Sequence, residues 1–191
     1  TPFSYNVYNL VEGTLVSGDK LVVTIEGQLT DVGDTENKIT SVKVMNGTVD
    51  VTASYPKIST INGKLTVTPR TVILTSGSAE KEYDGTPLTN KNVTIGGDGF
   101  VGNEGMTFNV TGSQTDAGTS KNYFTYIWNE GTKKKNYEVT SKPGDLQVTK
   151  NTTPIHIKAG SDSKKYDGTE LTCNTYSSSS LPVSGDKLVV M

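Results

Sequence analysis

A short segment that occurs twice constrains this chain more than any other feature. Residues 82–88 read Glu-Tyr-Asp-Gly-Thr-Pro-Leu, and residues 165–171 read Lys-Tyr-Asp-Gly-Thr-Glu-Leu. In each copy an aromatic residue suited to burial precedes Asp-Gly, whose glycine adopts positive φ without steric cost. The pattern predicts a structural turn motif at Tyr83, Asp84 and Gly85 and again at Tyr166, Asp167 and Gly168. A carboxylate beside glycine forms a turn far more often than it catalyses, so we favour the turn over a catalytic role.

Further matches define a repeat of 81 to 85 residues. Val16–Val23 recurs almost whole as Val183–Val190 and more weakly at Val101–Met106, and Gly63–Thr68 matches Gly144–Thr149. These offsets predict three domains: residues 1–70 are a first repeat that lacks its opening strand, 71–151 a complete second repeat, and 152–191 a truncated third. Because each end holds what the other lacks, we expect head-to-tail association. Residues near 152–170 of one molecule would complete the sheet of residues 1–70 in the next.

Composition favours several thin β cores over one large core. About 38% of residues are apolar when Gly is counted and Tyr omitted, against roughly 45–50% in an ordinary domain. The chain has 20 glycines and no run of strong helix formers. With about seven short strands in roughly eighty residues, it is predicted to be all-β, built from tandem immunoglobulin-like β-sandwich repeats. The alternative is a β-grasp-like repeat with one short helix, at residues 34–45 or 119–130.

Individual strands and hairpins follow from alternation and turn residues. Residues 21–25 are predicted to be a strand with Leu21, Val23 and Ile25 on one face. Asn-Gly at 46–47 and at 62–63 predicts two hairpins, and 142–144 a third. The segment at 71–75 is expected to be a strand buried on both sides, and 122–128 an aromatic strand. The three lysines at 133–135 are expected at a solvated hairpin tip.

Charge and cysteine content narrow the function classes. A net charge of −2 gives no excess of positive charge to attract nucleic acid or an anionic membrane, so neither is expected as a partner. The single cysteine, Cys173, forms no intrachain disulfide and is interpreted as a buried small hydrophobe or an accident of this copy. A catalytic pair with the only histidine, His156, is disfavoured. The loop at 96–99 matches calcium-binding loops too weakly to predict a metal site, and no cofactor is expected.

The motifs of the second repeat resemble a known family. They are Lys81–Thr86, Asp116–Thr119, Asn136-Tyr137 and Gly144–Thr149. Together they look like the tandem YDG-type and MBG-type repeats of large bacterial cell-surface proteins and adhesins. The first repeat departs from the pattern, with Asp-Val-Gly-Asp at 31–34 and Ser54-Tyr55 in place of Asn-Tyr. The resemblance implies a secreted, cell-wall-anchored location, through other parts of a longer chain, in a Gram-positive type of surface protein.

The resemblance implies a non-catalytic spacer that extends a binding domain from the cell wall, with adjacent repeats of the same chain as its partners. The alternative is a ligand-binding module for host glycan, mucin or matrix protein, with Tyr126 and Trp128 as possible contacts. Aromatic residues in a sandwich more often lie in the core, so a solvent-facing Trp128 would favour the alternative. An enzyme is not expected, because no paired carboxylates or triad stand out from turn chemistry.

Overall fold

The structure, a computed structural model, describes residues 5–190 and is all-β in that range. It contains strands and two short 3₁₀ turns there and no α-helix. The all-β prediction is confirmed. The β-grasp alternative is wrong, because residues 34–45 are strand throughout and residues 119–130 contain two strands. Within the same range no helix is long and apolar enough to cross a bilayer.

The strands are numbered in chain order. They are β1 (Asp19–Glu26), β2 (Gly33–Asn46), β3 (Val49–Asp50), β4 (Gly63–Val67), β5 (Arg70–Ser76), β6 (Ala79–Glu82), β7 (Val93–Gly97), β8 (Met106–Val110), β9 (Gly118–Asn122), β10 (Phe124–Trp128), β11 (Tyr137–Lys142), β12 (Gly144–Thr149), β13 (Ile157–Ala159) and β14 (Tyr176–Ser178). The chain divides into two compact units. Unit 1 is Thr1–Val72 with Gly131–Glu138, and unit 2 is Ile73–Glu130 with Val139–Met191.

Unit 1 is organised by the long strand β2. Its second half pairs antiparallel with β1 and with β3, and its first half pairs antiparallel with β4. Burial alternates along β1 and places Leu21, Val23 and Ile25 on the more buried face, as predicted. The hairpin predicted at Asn46-Gly47 joins β2 to β3, with φ of +57° at Gly47. The hairpin predicted at 62–63 is wrong, because residues 55–61 form no strand and β4 pairs with β2 instead.

Strands β5 to β14 form small sheets between which the chain crosses at two points. One has the order β11-β5-β7, another β6-β12-β9, and two further pairs are β8 with β10 and β13 with β14. The chain leaves the first sheet after Ser76 and again at Pro143, and enters the second each time. The hairpin predicted across 142–144 is therefore wrong, because β11 and β12 belong to different sheets. On β5, Val72 and Leu74 are fully buried while Ile73 is half-buried. One face of the strand is therefore buried and the other only partly, whereas both were predicted to be buried.

The same strand pairings occur at the sequence offsets noted above. Ile25 pairs with Ile39 between β1 and β2, and Val110 pairs with Phe124 between β8 and β10, 85 residues later. Near the other end, the amide of Gly77 donates to the carbonyl of Asn92, and the amide of Gly160 donates to that of Thr175, 83 residues later. Equivalent residues thus make equivalent backbone contacts.

Candidate functional site

The two Tyr-Asp-Gly segments form nearly identical turns. Gly85 and Gly168 have φ of +78° and +76°, values that favour glycine. The carboxylate Oδ1 of Asp84 accepts hydrogen bonds from the backbone N and the Oγ1 of Thr86, at 2.8 and 2.7 Å. Asp167 accepts the same two bonds from Thr169, at 3.0 and 2.8 Å. Each aspartate side chain therefore closes its own turn.

A lysine three residues before each aspartate completes the turn. Lys81 Nζ lies 2.6 Å from Asp84 Oδ1, and Lys164 Nζ lies 2.9 Å from Asp167 Oδ1. These lysines, followed by the threonine bonds, hold the pKa of both carboxyls below its usual range. A carboxylate held ionised in this way stabilises a turn and is a poor proton donor.

The two tyrosines of these turns lie in different surroundings. Tyr83 is half-buried in a cavity of about 280 Å³ that Val183 and Asp186 also line. The negative charge of Asp186 raises the pKa of the Tyr83 hydroxyl. Tyr166 is 97% exposed. The expectation of a buried aromatic at this position is wrong for the second turn, because no chain segment covers it within the described residues.

Tyr126 and Trp128 lie on one face of β10 and contact each other edge-on. Their ring centroids are 6.2 Å apart with an interplanar angle of 89°, and Trp128 also meets Phe100 edge-on at 6.3 Å. Tyr126 is 36% exposed, and Trp128 is half-buried. The strand predicted at this aromatic segment is present and pairs with β8. Trp128 is therefore not the fully solvent-facing residue that would favour a binding module, while Tyr126 presents an accessible edge.

Asp31 in unit 1 gathers three side chains from residues 131–138 of the same unit. Asn136 Nδ2 donates to its Oδ1 at 2.9 Å, Lys133 Nζ lies 3.0 Å from Oδ1, and Lys135 Nζ lies 3.2 Å from Oδ2. The amide of Val32 donates back to Asn136 Oδ1 at 2.8 Å. The hydrogen bond from Asn136, and then those from the lysines, hold the pKa of Asp31 well below its usual range. The three lysines are solvent-exposed as predicted, but they do not lie at a hairpin tip, because β10 pairs with β8 and β11 pairs with β5.

Two buried asparagines, which were not predicted from the sequence, hold separate backbone segments together. We call each asparagine, with the glycine packed against it, a corner. Asn122 is fully buried, and its Nδ2 donates to the carbonyls of Gly77 at 2.8 Å and Asn90 at 2.7 Å. Asn37 lies 85 residues earlier and donates to the carbonyl of Tyr5, the residue equivalent to Asn90. Both amide oxygens are buried, and neither accepts a hydrogen bond within residues 5–190.

A glycine packs against each of these amide oxygens. A Cβ added to Gly27 would lie 2.5 Å from Asn37 Oδ1, and one added to Gly112 would clash with Asn122 Oδ1. The glycine and the asparagine are separated by ten residues in both repeats. That conserved spacing at an offset of 85 is the signal in the sequence that would have revealed the corner.

Cys173 and His156 are both exposed. The prediction that Cys173 is a buried small hydrophobe is therefore wrong. Its Sγ lies 3.2 Å from Thr175 Oγ1, and hydrogen bonding to Thr175 lowers the pKa of the thiol. Among residues 5–190 no three His, Cys, Asp or Glu side chains are grouped closely enough to hold a metal ion.

Unit 1 also contains a cavity of about 340 Å³, lined mainly by residues 8–15, residues 57–61 and one face of the β1–β2 sheet. At its edge, the hydroxyl of Tyr55 donates to Asp19 Oδ2 at 2.6 Å and accepts from the amide of Val16. The bond to Asp19 raises the pKa of this tyrosine. The cavity is apolar on its sheet side.

No protein-family model, curated protein or solved structure matches this chain. The chemistry of the described residues is that of turns, corners and ion pairs. The carboxylates with the clearest environments, Asp31, Asp84 and Asp167, are each ionised and bound to lysine. Such groups hold the backbone in place.

Proposed function

We propose that this chain is a non-catalytic structural repeat module of a bacterial surface adhesin, in which immunoglobulin-like sandwiches extend a binding domain away from the cell wall. The proposal draws on the resemblance to YDG-type and MBG-type repeats. It places the chain outside the cell, with neighbouring repeats as its regular partners. A spacer of this kind needs reach and local order and has no requirement for a reactive cleft.

The observation that carries the proposal is the recurrence of the asparagine–glycine corner. Asn37 with Gly27, and Asn122 with Gly112, make the same close contact 85 residues apart. Each asparagine also lies opposite a glycine that begins a strand, Gly63 in one case and Gly144 in the other. A contact that recurs within each copy in this way is typical of proteins built from many copies of one module.

Scattering from a lengthened chain tests the spacer. A variant in which residues 71–151 are duplicated in tandem adds one complete predicted repeat. A folded domain of that size is roughly 25–30 Å across by the usual scaling of the radius of gyration. We expect the maximum dimension in small-angle X-ray scattering to grow by at least that amount with each added copy. Growth of only a few ångströms, as in a globule that absorbs the copy, would contradict a spacer.

The second candidate, a ligand-binding module, is favoured by the accessible edge of Tyr126 beside Trp128. Immobilised mucin and fibronectin are suitable probes. Tyr126→Ala removes the accessible ring, and Tyr123→Ala, at a residue 63% exposed elsewhere on the same segment, is the matched control. Binding that is lost in the first variant and kept in the second would support this role. Absence of binding by the parent chain to either probe would count against it.

A further inference from the structure

The cavity in unit 1 lies on one face of the β1–β2 sheet. Leu21, Val23, Ile39, Val42 and Val44 form its floor on the β1–β2 sheet. Residues 8–15 lie along one side and residues 57–61 along the other, and neither segment is in a strand. The floor is apolar, as expected of a surface that packs against another layer.

In the second repeat, a strand lies between the segments equivalent to the two sides of the cavity. Residues 8–12 correspond to β7 at an offset of 85, and Tyr55, by the Asn-Tyr match, corresponds to Tyr137 at the start of β11. Strand β5 lies between β7 and β11 in their sheet, and its Val72 and Leu74 are fully buried. In unit 1, no described strand lies between the two corresponding segments.

Asn37 provides independent evidence that a strand fits in this place. Asn122 uses both amide protons, and one of its acceptors is the carbonyl of Gly77, the residue directly after β5. Asn37 makes only the bond to Tyr5 among the described residues. Its second N–H therefore lacks the acceptor that the end of a β5-like strand supplies.

The third repeat contains a strand of the required pattern. Residues 154–160 match residues 71–77 at an offset of 83, which places Ile155 and Ile157 at the positions of Val72 and Leu74. The two isoleucines are 46% and 52% exposed, whereas their counterparts are fully buried. Strand β13 pairs with β14 on one edge, and its other edge has no partner strand within residues 5–190.

We propose that the unit 1 cavity is an acceptor slot for residues 154–160 of a second copy of this chain. Ile155 and Ile157 pack on the apolar floor, and the carbonyl of Gly160 accepts the second N–H of Asn37. Because β14 already pairs with one edge of β13, residues 8–12, which line the cavity without forming a strand, have to move aside, and the free edge of β13 faces residues 57–61. The contact joins two different surfaces, so assembly through it is head to tail.

Sedimentation velocity tests whether residues 154–160 drive the association. The concentration should run from about 10 µM to about 1 mM, because contacts of this size associate weakly. We expect the parent chain to associate. The double variant Ile155→Asp with Ile157→Asp, at exposed positions, should associate at least about tenfold more weakly, since charges replace the buried side chains. The matched control is Ile127→Asp, at a residue 69% exposed on β10, which should behave like the parent. A parent that stays monomeric, or a double variant that assembles equally well, would overturn the proposal.

Ala159→Ser tests the register by gain of association. Ala159 corresponds to Ser76, whose Oγ donates to the carbonyl of Asn122 and accepts from the amide of Gly144 at 3.0 Å. The same hydroxyl in the slot would meet the carbonyl of Asn37 and the amide of Gly63, so we expect several-fold tighter association. A synthetic peptide of residues 152–161 should compete with assembly and protect the amides of residues 55–60 from hydrogen exchange. Unchanged association of the serine variant, or peptide binding without protection there, would contradict this register.

Discussion

Replacing Asn122 with alanine measures how much the buried corner contributes to folding. The change removes a fully buried amide that donates to the carbonyls of Gly77 and Asn90, two residues that are themselves half-buried. A buried polar group left without a partner costs about 1–3 kcal/mol. Two such groups therefore predict a loss of about 2–5 kcal/mol, a large share of the roughly 5–15 kcal/mol that stabilises a typical domain.

Urea unfolding followed by the fluorescence of Trp128 is the assay, because this is the only tryptophan and it lies in unit 2 with Asn122. With a typical slope of about 1.5 kcal/mol per molar urea, the midpoint should fall by roughly 1.3–3.3 M. Asn109→Ala, at an exposed residue of β8, is the matched control and should change stability by less than about 0.5 kcal/mol. A loss below about 1 kcal/mol for Asn122→Ala would refute the reasoning, since it would mean that the carbonyls find other donors.

Three further predictions concern a glycine, a carboxylate and a thiol. Gly112→Ala should destabilise unit 2 more than Gly99→Ala in the same urea assay, because its Cβ would lie 2.5 Å from Asn122 Cα, whereas Gly99, at φ +67°, meets only backbone strain. Folding lowers the pKa of Asp31, so its stabilising contribution is present above the unfolded value of 3.8 and is lost as pH falls through the folded pKa. The difference in stability between the parent and Asp31→Asn should therefore shrink below about pH 4. Hydrogen exchange of the β2 amides measures that difference. Thr175→Val should slow alkylation of native Cys173 by iodoacetamide near neutral pH, because the bond from Thr175 lowers the thiol pKa; an unchanged rate would exclude that cause.

The alternation of apolar and polar residues predicted the strands well, because a strand that buries one face alternates in this way. Leu21, Val23 and Ile25 face inward on β1 as their spacing indicates, and the aromatic alternation of residues 124–128 does form a strand. Partner choice was predicted less well, because it depends on residues far apart in sequence. Gly63–Val67 follows a strong turn signal, yet it pairs with the first half of β2, and Pro143 marks a crossing between sheets in place of a hairpin.

The Tyr-Asp-Gly turns show the same division between local and distant causes. Asp84 and Asp167 close their turns through bonds to residues two positions away, so identical sequence gives the same turn. Burial of the adjacent tyrosine depends on a distant segment near Val183, which lines the Tyr83 cavity and has no described counterpart at Tyr166. The heptapeptide therefore determines its own conformation and leaves its surroundings to other parts of the chain.

The asparagine corners explain how thin apolar cores still specify one arrangement of strands. A hydrogen bond adds only about 0.5–1.5 kcal/mol net, whereas leaving its buried partner unsatisfied costs more, so the corner penalises wrong pairings more than it rewards the right one. A slip of β9 by one residue would place Lys121 or Tyr123 where Asn122 bonds to Gly77 and Asn90. Tyr123 has a single donor for the two carbonyls, and Lys121 would bury a charge without a partner. The corner therefore fixes the register of β9 at the point where the chain passes from one sheet to another after Ser76. The limited apolar surface of these strands fixes that register less strictly.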